Sequence, residues 1–255
     1  MKKIFLALGI ITLFSYSGLA QKEFDDLLVL LVSENYEKVR VKSFNLSQKD
    51  TYKKDPRPYY YFSMASFRMS RDNKFSDDYP KAYKDAQSYA IKCRKMDKEG
   101  SFYKQNEEYF DQLKAVMMED IENSLMKGTE KDYRNALGEL KKMKDIDPND
   151  MGGNLLWGMA EILNKNVYDG KKICQEYIAK ITSFTEKGNF GDLSEQTQYN
   201  LRYALMKYAE FLSEKDPAAA KSTIALGKKY FYNSNEEYKK EYNKDYKELY
   251  DKLHK

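Results

Sequence analysis

The sequence predicts an all-α protein, and three observations support this. After residue 22, apolar side chains recur at the spacing that places them on one face of a helix. Segments with the alternation of apolar and polar residues that indicates a half-buried strand are scarce. Capping residues and prolines stand where the periodic segments begin and end. We therefore expect helices along most of the chain and no sheet.

The amino terminus has the three parts of a secretory signal peptide. Lys2 and Lys3 supply a positive start, residues 4–14 form an apolar stretch, and residues 17–20 read Ser-Gly-Leu-Ala. The apolar stretch is shorter than the roughly 20 residues that a membrane-spanning helix needs. We expect cleavage before Gln21, with an uncleaved anchor as the alternative.

Removal of residues 1–20 would leave one domain, residues 21–255, in the periplasm or outside the cell. No cysteine stands near the cleavage point to accept a lipid anchor, so we expect no stable membrane insertion after cleavage. The whole chain has a net charge of +4 with both signs interspersed, which is not the basic face of a nucleic-acid-binding protein. We therefore expect no nucleic-acid partner.

The segment 129–150 gives the clearest helix. Thr129 can cap it, with Asp132 in its first turn, and Pro148 removes a backbone donor where it should stop. The apolar residues at helical spacing between these ends are Tyr133, Ala136, Leu137, Leu140, Met143 and Ile146. A new helix follows, with the small residues Gly158 and Ala160 inside it.

This segment resembles the second half of a tetratricopeptide repeat. The resemblance is carried by Tyr133-Arg134-Asn135-Ala136 and by the closing Ile146-Asp147-Pro148-Asn149. Counted from Met151 as the first position of the next repeat, Gly158 falls at position eight, where the family favours a small residue for close helix approach. Similar second-helix starts occur at Tyr36, Tyr79, Tyr168 and Pro217, at uneven intervals mostly longer than the repeat length of roughly 34 residues.

The resemblance implies a right-handed TPR-like α-solenoid of about five helix pairs plus a C-terminal capping helix. Residues 234–237 have the Ser-x-x-Glu form of a capping box, and Tyr238, Tyr242, Leu249 and Leu253 mark one face of the helix that follows. A stacked array needs such a final helix, because its last pair would otherwise expose apolar surface.

Catalytic and metal-binding patterns are missing from the sequence. The only histidine is His254, next to the carboxyl terminus, which excludes histidine-based nucleophilic catalysis and histidine zinc sites. Cys93 and Cys174 are expected to be separate buried thiols, with a disulfide between them as the alternative. The acidic segment 145–150 imitates a calcium loop but has Asp150 where the loop requires glycine. We expect no enzyme activity, no cofactor and no metal.

The tyrosines, 23 in all, are the strongest indication of a binding surface. In tetratricopeptide arrays the first helices line a concave groove that holds partner peptides, and Tyr and Arg often anchor interfaces. The predicted partner-binding residues are Tyr60, Arg68, Arg71, Tyr103, Tyr199, Arg202 and Tyr203. The family's Lys/Asn/Arg clamp for a chain-terminal carboxylate is not recognisable.

The sequence therefore favours a non-catalytic scaffold or adaptor that binds another envelope protein or a peptide segment. Binding of glycan or peptidoglycan by the tyrosine-rich groove is the alternative, since tyrosine faces also stack on sugar rings. A third hypothesis, a carboxylate hydrolase, requires two inward-facing acids roughly 5–10 Å apart in a cleft.

The cleavage site gives a first testable prediction. Expressed in a bacterial host with an intact export pathway, the protein should be recovered with Gln21 as its first residue, because signal peptidase cuts after a small residue. Intact-mass measurement and amino-terminal sequencing check this. Recovery of a chain that still carries residues 1–20 in the membrane fraction would support the uncleaved anchor instead.

Overall fold

A computed structural model describes residues 22–232 and 240–255 of the chain. The described residues form helices joined by short turns and contain no strand, which confirms the predicted all-α class. None of the helices in these two ranges is both long enough and apolar enough to cross a membrane. The predicted signal peptide and the capping box at residues 234–237 lie outside the described residues.

The chain divides into two compact units, the first ending at Gln105 and the second beginning at Asn106. The prediction of one domain over residues 21–255 is not tested by this division and stays a prediction. Each unit has its own helices and its own buried core.

Unit 1 is built from helices that pack in chain order, with α3 against both α2 and α4. Its buried core includes Phe24, Leu27 and Val39. The elements are α1 (residues 22–32), α2 (Tyr36–Gln48), α3 (Pro56–Ser70), a 3-10 turn (Asn73–Phe75), α4 (Ala82–Met96) and α5 (Ser101–Gln105).

Pro56 and Asp55 explain where α3 begins. The first residue of the helix is Pro56. The fixed φ of Pro56 suits the first helical position, where a missing N–H costs no hydrogen bond. The Asp55 carboxylate caps this end by accepting from the Arg57 backbone N–H at 2.9 Å.

Unit 2 contains the longer helices, and α10 contacts α6, α8, α11 and α12. Its elements are α6 (Glu107–Lys127), α7 (Glu130–Ile146), α8 (Met151–Leu163), α9 (Val167–Lys187), a 3-10 turn (Phe190–Asp192), α10 (Glu195–Leu212), α11 (Pro217–Leu226), a π-helical turn (Lys228–Tyr232) and α12 (Lys240–His254). The pairs α6–α7, α8–α9 and α10–α11 are each in contact.

The helix predicted within residues 129–150 is confirmed as α7. Thr129 Oγ1 accepts from the Asp132 backbone N–H at 3.3 Å, and Asp147 is the C-cap residue. Of the predicted apolar residues, all but Tyr133 are buried. The 3.6-residue period therefore identified the core face of this helix correctly.

Gly158 allows α8 and α9 to approach closely, as its place in the sequence predicted. A Cβ atom at Gly158 would lie 2.7 Å from Cys174 Sγ and 2.9 Å from the Cys174 backbone nitrogen. Cys93 and Cys174 are both buried and outside any disulfide, as expected. Burial raises the pKa of the Cys174 thiol to about 12, so this sulfur is protonated and packs as an apolar group.

A buried ionic network joins three parts of unit 2. The Lys114 side chain of α6 is 0% exposed. Its Nζ lies 2.9 Å from Asp147 Oδ2 and 3.1 Å from Asp111 Oδ1, and it donates to Thr197 Oγ1 of α10 at 3.2 Å. An isolated ammonium would be costly to bury, so its two carboxylates are part of what makes this position tolerable.

Asp150, the N-cap residue of α8, is a further buried carboxylate that is influenced by the charge of Lys114. Its carboxylate accepts from the Gly153 backbone N–H at 2.8 Å and from Asn200 Nδ2 at 2.6 Å. Burial raises the Asp150 pKa, while the charge of Lys114 and these two donors act in the opposite direction. In the acidic segment that resembles a calcium loop, Asp150 thus caps α8 and accepts a hydrogen bond from α10.

The close approach at Gly158 predicts opposite effects for two glycine substitutions. Gly158→Ala should destabilise the protein by about 1–3 kcal/mol, because the added methyl meets backbone and sulfur that must shift. Gly138→Ala is the matched control, since no atom within 4 Å meets its Cβ and Ala favours a helix by about 0.5–1 kcal/mol. Urea unfolding measures both. Equal effects would contradict the packing account.

The buried network predicts that removal of the Lys114 charge has a large effect on stability. Lys114→Met should lower the free energy of unfolding by about 3–5 kcal/mol, because it leaves buried carboxylates without their cation. The control is Lys180→Met, which removes a half-exposed partner of Glu176 and should cost no more than about 1 kcal/mol. Urea unfolding of both variants is the measurement, and a Lys114→Met value as small as the control's would refute the network's importance.

Candidate functional site

The seven residues that the sequence singled out divide between the two units. Tyr60, Arg68, Arg71 and Tyr103 belong to unit 1. Tyr60 is partly buried, with its ring centroid 5.3 Å from that of Phe102, and both arginines are exposed.

Tyr103 has a packing role in unit 1. It is 8% exposed, and the Arg94 guanidinium carbon lies 4.9 Å from its ring centroid. Its backbone N–H donates to Asp97 Oδ2 at 2.7 Å. Residue type alone did not indicate this burial, which depends on the turn around Asp97, and the partner-binding role of Tyr103 stays a prediction.

The remaining three residues lie together in unit 2. Tyr199, Arg202 and Tyr203 line one cavity of about 500 Å³ between α10 and α12, to which α6 contributes Glu122. We call this cavity the α10–α12 cleft.

The sequence of α10 explains this placement. Ser194 Oγ accepts from the Thr197 backbone N–H at 3.3 Å and starts the helix. Helical spacing then puts one set of residues towards the cleft and another towards the core. The cleft set is Tyr199, Arg202, Tyr203, Met206, Lys207 and Glu210, and the fully buried set includes Leu201, Ala204, Leu205 and Ala209.

Tyr199 connects the cleft to α6. Its hydroxyl donates to Glu122 Oε1 at 2.5 Å. Its ring centroid lies 6.4 Å from that of Tyr203, with the rings only 10° from parallel. The guanidinium of Arg202, a residue only 6% exposed, lies 5.0 Å from the Tyr199 ring centroid. These contacts fix the two rings before any ligand arrives.

Two pKa shifts report the electrostatics of the cleft. Burial raises the pKa of Glu122, while the Tyr199 hydrogen bond and the Arg202 charge lower it. Burial also raises the pKa of Tyr203, and the carboxylates of Glu122 and Glu210 raise it further. The Tyr203 hydroxyl therefore stays protonated and lies in a locally negative environment.

The opposite wall is formed by α12, which is held in place by Tyr246. This ring is 0% exposed, its hydroxyl donates to the Ile224 backbone oxygen, and its centroid lies 5.3 Å from that of Phe231. The sequence predicted that one face of this helix carries Tyr238, Tyr242, Leu249 and Leu253, and it did not single out Tyr246. Leu249 lines the cleft, whereas Tyr238 and the side chain of Tyr242 lie outside the described residues.

Sequence reasoning also missed the acidic residues of the cleft. Glu122, Asp245 and Glu248 line it, yet none belongs to a motif, and the chain has 40 acidic residues from which to choose. Among the described residues, no group of three or more His, Cys, Asp or Glu side chains could hold a metal ion. The cleft offers aromatic rings, hydrogen-bonding groups and charges of both signs, which suit reversible binding.

Comparisons with protein-family models, with curated proteins and with solved structures found no match for this chain. Function is therefore inferred from the residues and geometry of the chain itself.

Proposed function

We propose that the protein is a non-catalytic scaffold or adaptor that binds a segment of another cell-envelope protein in the α10–α12 cleft. The observation that carries this proposal is the meeting of Tyr199, Arg202 and Tyr203 on the walls of one cavity. The cavity's size falls within the roughly 300–1,000 Å³ of pockets that take small ligands. Tyr and Arg are the residue types that most often anchor protein interfaces.

The location in the cell envelope is proposed on the basis of the amino-terminal sequence. The charged start, apolar stretch and small-residue exit of residues 1–20 are typical of an exported protein. An exported adaptor would meet its partner in the periplasm or outside the cell.

We also propose that the helix pairs are TPR-like. The contacts within α6–α7, α8–α9 and α10–α11, and the small Gly158 at the α8–α9 contact, support this. One feature departs from a regular array, in which each repeat contacts only its neighbours. Here α10 also contacts α6, two pairs earlier. The proposed repeats are therefore irregular within unit 2, and the right-handed solenoid stays a prediction.

A protein segment fits the cleft better than a glycan does. Sugar rings stack on open faces of aromatic rings, and both cleft tyrosines already have a cation near their rings. Arg202 lies 5.0 Å from the Tyr199 centroid, and the Lys207 ammonium lies 5.7 Å from that of Tyr203. Glycan or peptidoglycan binding remains the alternative because the two rings are nearly parallel and partly exposed.

Site-specific crosslinking in the native host tests the proposal. A photoreactive amino acid at Met206, which lines the cleft, should capture a defined envelope protein, whereas one at Tyr168 of α9, which is 81% exposed, should not. Adding Tyr203→Ala should abolish capture at position 206, because it removes an anchor of the cleft.

The result that would overturn the proposal is equally specific. Equal capture at both positions, or capture that survives Tyr203→Ala, would place the partner elsewhere. Retention of one oligosaccharide on a glycan array, with no crosslinked protein, would favour the alternative.

A further inference from the structure

On the basis of the proposed function, we infer that the α10–α12 cleft selects a partner segment through a basic side chain, Lys or Arg. The charges and hydrogen-bonding groups that line the cleft favour a cationic ligand group.

Carboxylates outnumber cations in the cleft. The four carboxylates are Glu122, Glu210, Asp245 and Glu248, and the three cations are Arg202, Lys207 and Lys252. Two of the cations already interact with the protein itself. Arg202 lies over Tyr199 and close enough to Glu122 to lower its pKa, and Lys207 Nζ lies 2.8 Å from Glu210 Oε2.

The α12 wall supplies negative charge that the protein compensates only in part. Asp245 forms no ion pair and no hydrogen bond with any side chain that the structure describes, in residues 22–232 and 243–255. Glu248 has only a loose pair with Lys244, at 3.8 Å between two well-exposed side chains. Lys252, at the end of this wall, reduces the negative charge but leaves an excess of carboxylate.

The hydroxyl of Tyr203 also favours a cationic ligand group. Its hydroxyl makes no hydrogen bond within the part of the chain that the structure describes, although the residue is partly buried. The carboxylates of Glu122 and Glu210 are close enough to raise its pKa. An entering ammonium or guanidinium could donate to the hydroxyl oxygen and would be attracted by the same two carboxylates. An anionic side chain would meet repulsion from the same groups.

The partly buried carboxylate of Glu122 favours the binding of a cation beside it. Burial withholds water from its carboxylate and raises its pKa, so its ionised form is under-solvated. A cation placed beside it gains more than one beside a fully hydrated carboxylate, because screening is weaker in a partly buried site.

The positive net charge of the protein separates local attraction in the cleft from long-range attraction of cations. The whole chain carries +4, and +2 remains if residues 1–20, with Lys2 and Lys3, are removed. Long-range electrostatics therefore repel cationic peptides, so preferential binding of such a peptide must come from a local site.

Fluorescence anisotropy with short labelled peptides tests the inference. The peptides share one length and one Ala-Ser scaffold and carry Lys, Glu or Gln at the same positions. The Lys peptide should bind the purified full chain at least about tenfold more tightly than the other two, and added salt should weaken it.

Matched variants locate the site. Glu122→Gln and Tyr203→Phe should each weaken the Lys peptide several-fold, since one removes the charge and the other the hydrogen-bonding hydroxyl. Glu214→Gln and Tyr168→Phe make the same chemical changes at exposed positions outside the cleft lining and should leave binding unchanged. Thermal unfolding of each variant separates lost binding from lost folding.

The outcomes distinguish this inference from the proposed function. If all three peptides bind equally and Tyr203→Ala weakens them all, the cleft binds segments without selecting cations, and only the inference fails. If no peptide binds while an oligosaccharide of N-acetylglucosamine does, both the inference and the protein-binding function fail. Loss of Lys-peptide binding in the exposed controls would also overturn the inference.

Discussion

The burial of one ammonium group determines how the second unit is put together. Lys114 is fully enclosed, so its charge must be met by groups brought from elsewhere in the fold. Asp147 reaches it from the turn after α7, and Thr197 reaches it from the first turns of α10. Three elements are thereby fixed around one atom. A displaced α10 would leave buried polar groups unpaired, which costs about 1–3 kcal/mol for each group.

The cleft depends on this arrangement because α10 has two working faces. Leu201 and Leu205 pack into the core, while Tyr199 and Tyr203 line the cleft. The Thr197 and Asn200 contacts fix the amino-terminal half of α10, directly beside the residues that reach the cleft. A binding surface on a helix that is held by buried hydrogen bonds loses little freedom when a ligand arrives, which favours affinity.

Much of the helical fold could be predicted from local sequence. The cap at Thr129, the apolar period of α7 and the small residue at position 158 all appear in the structure as expected. The candidate site could be predicted only in part. Tyr199, Arg202 and Tyr203 meet in one cleft because they are near neighbours on one helix, whereas Glu122 joins them across the fold and carries no motif that would identify it.

The sequence by itself determined which segments are helical and which side of each helix is apolar, because both properties are encoded within a few residues of one another. Tertiary structure alone decided that Lys114 binds Thr197, 83 residues away, and that Tyr199 binds Glu122, 77 residues away. It also decided that Tyr103 is buried and that Tyr246 anchors α12. The physical reason is that burial and charge pairing depend on how helices pack, and no local pattern specifies which distant side chain completes a contact.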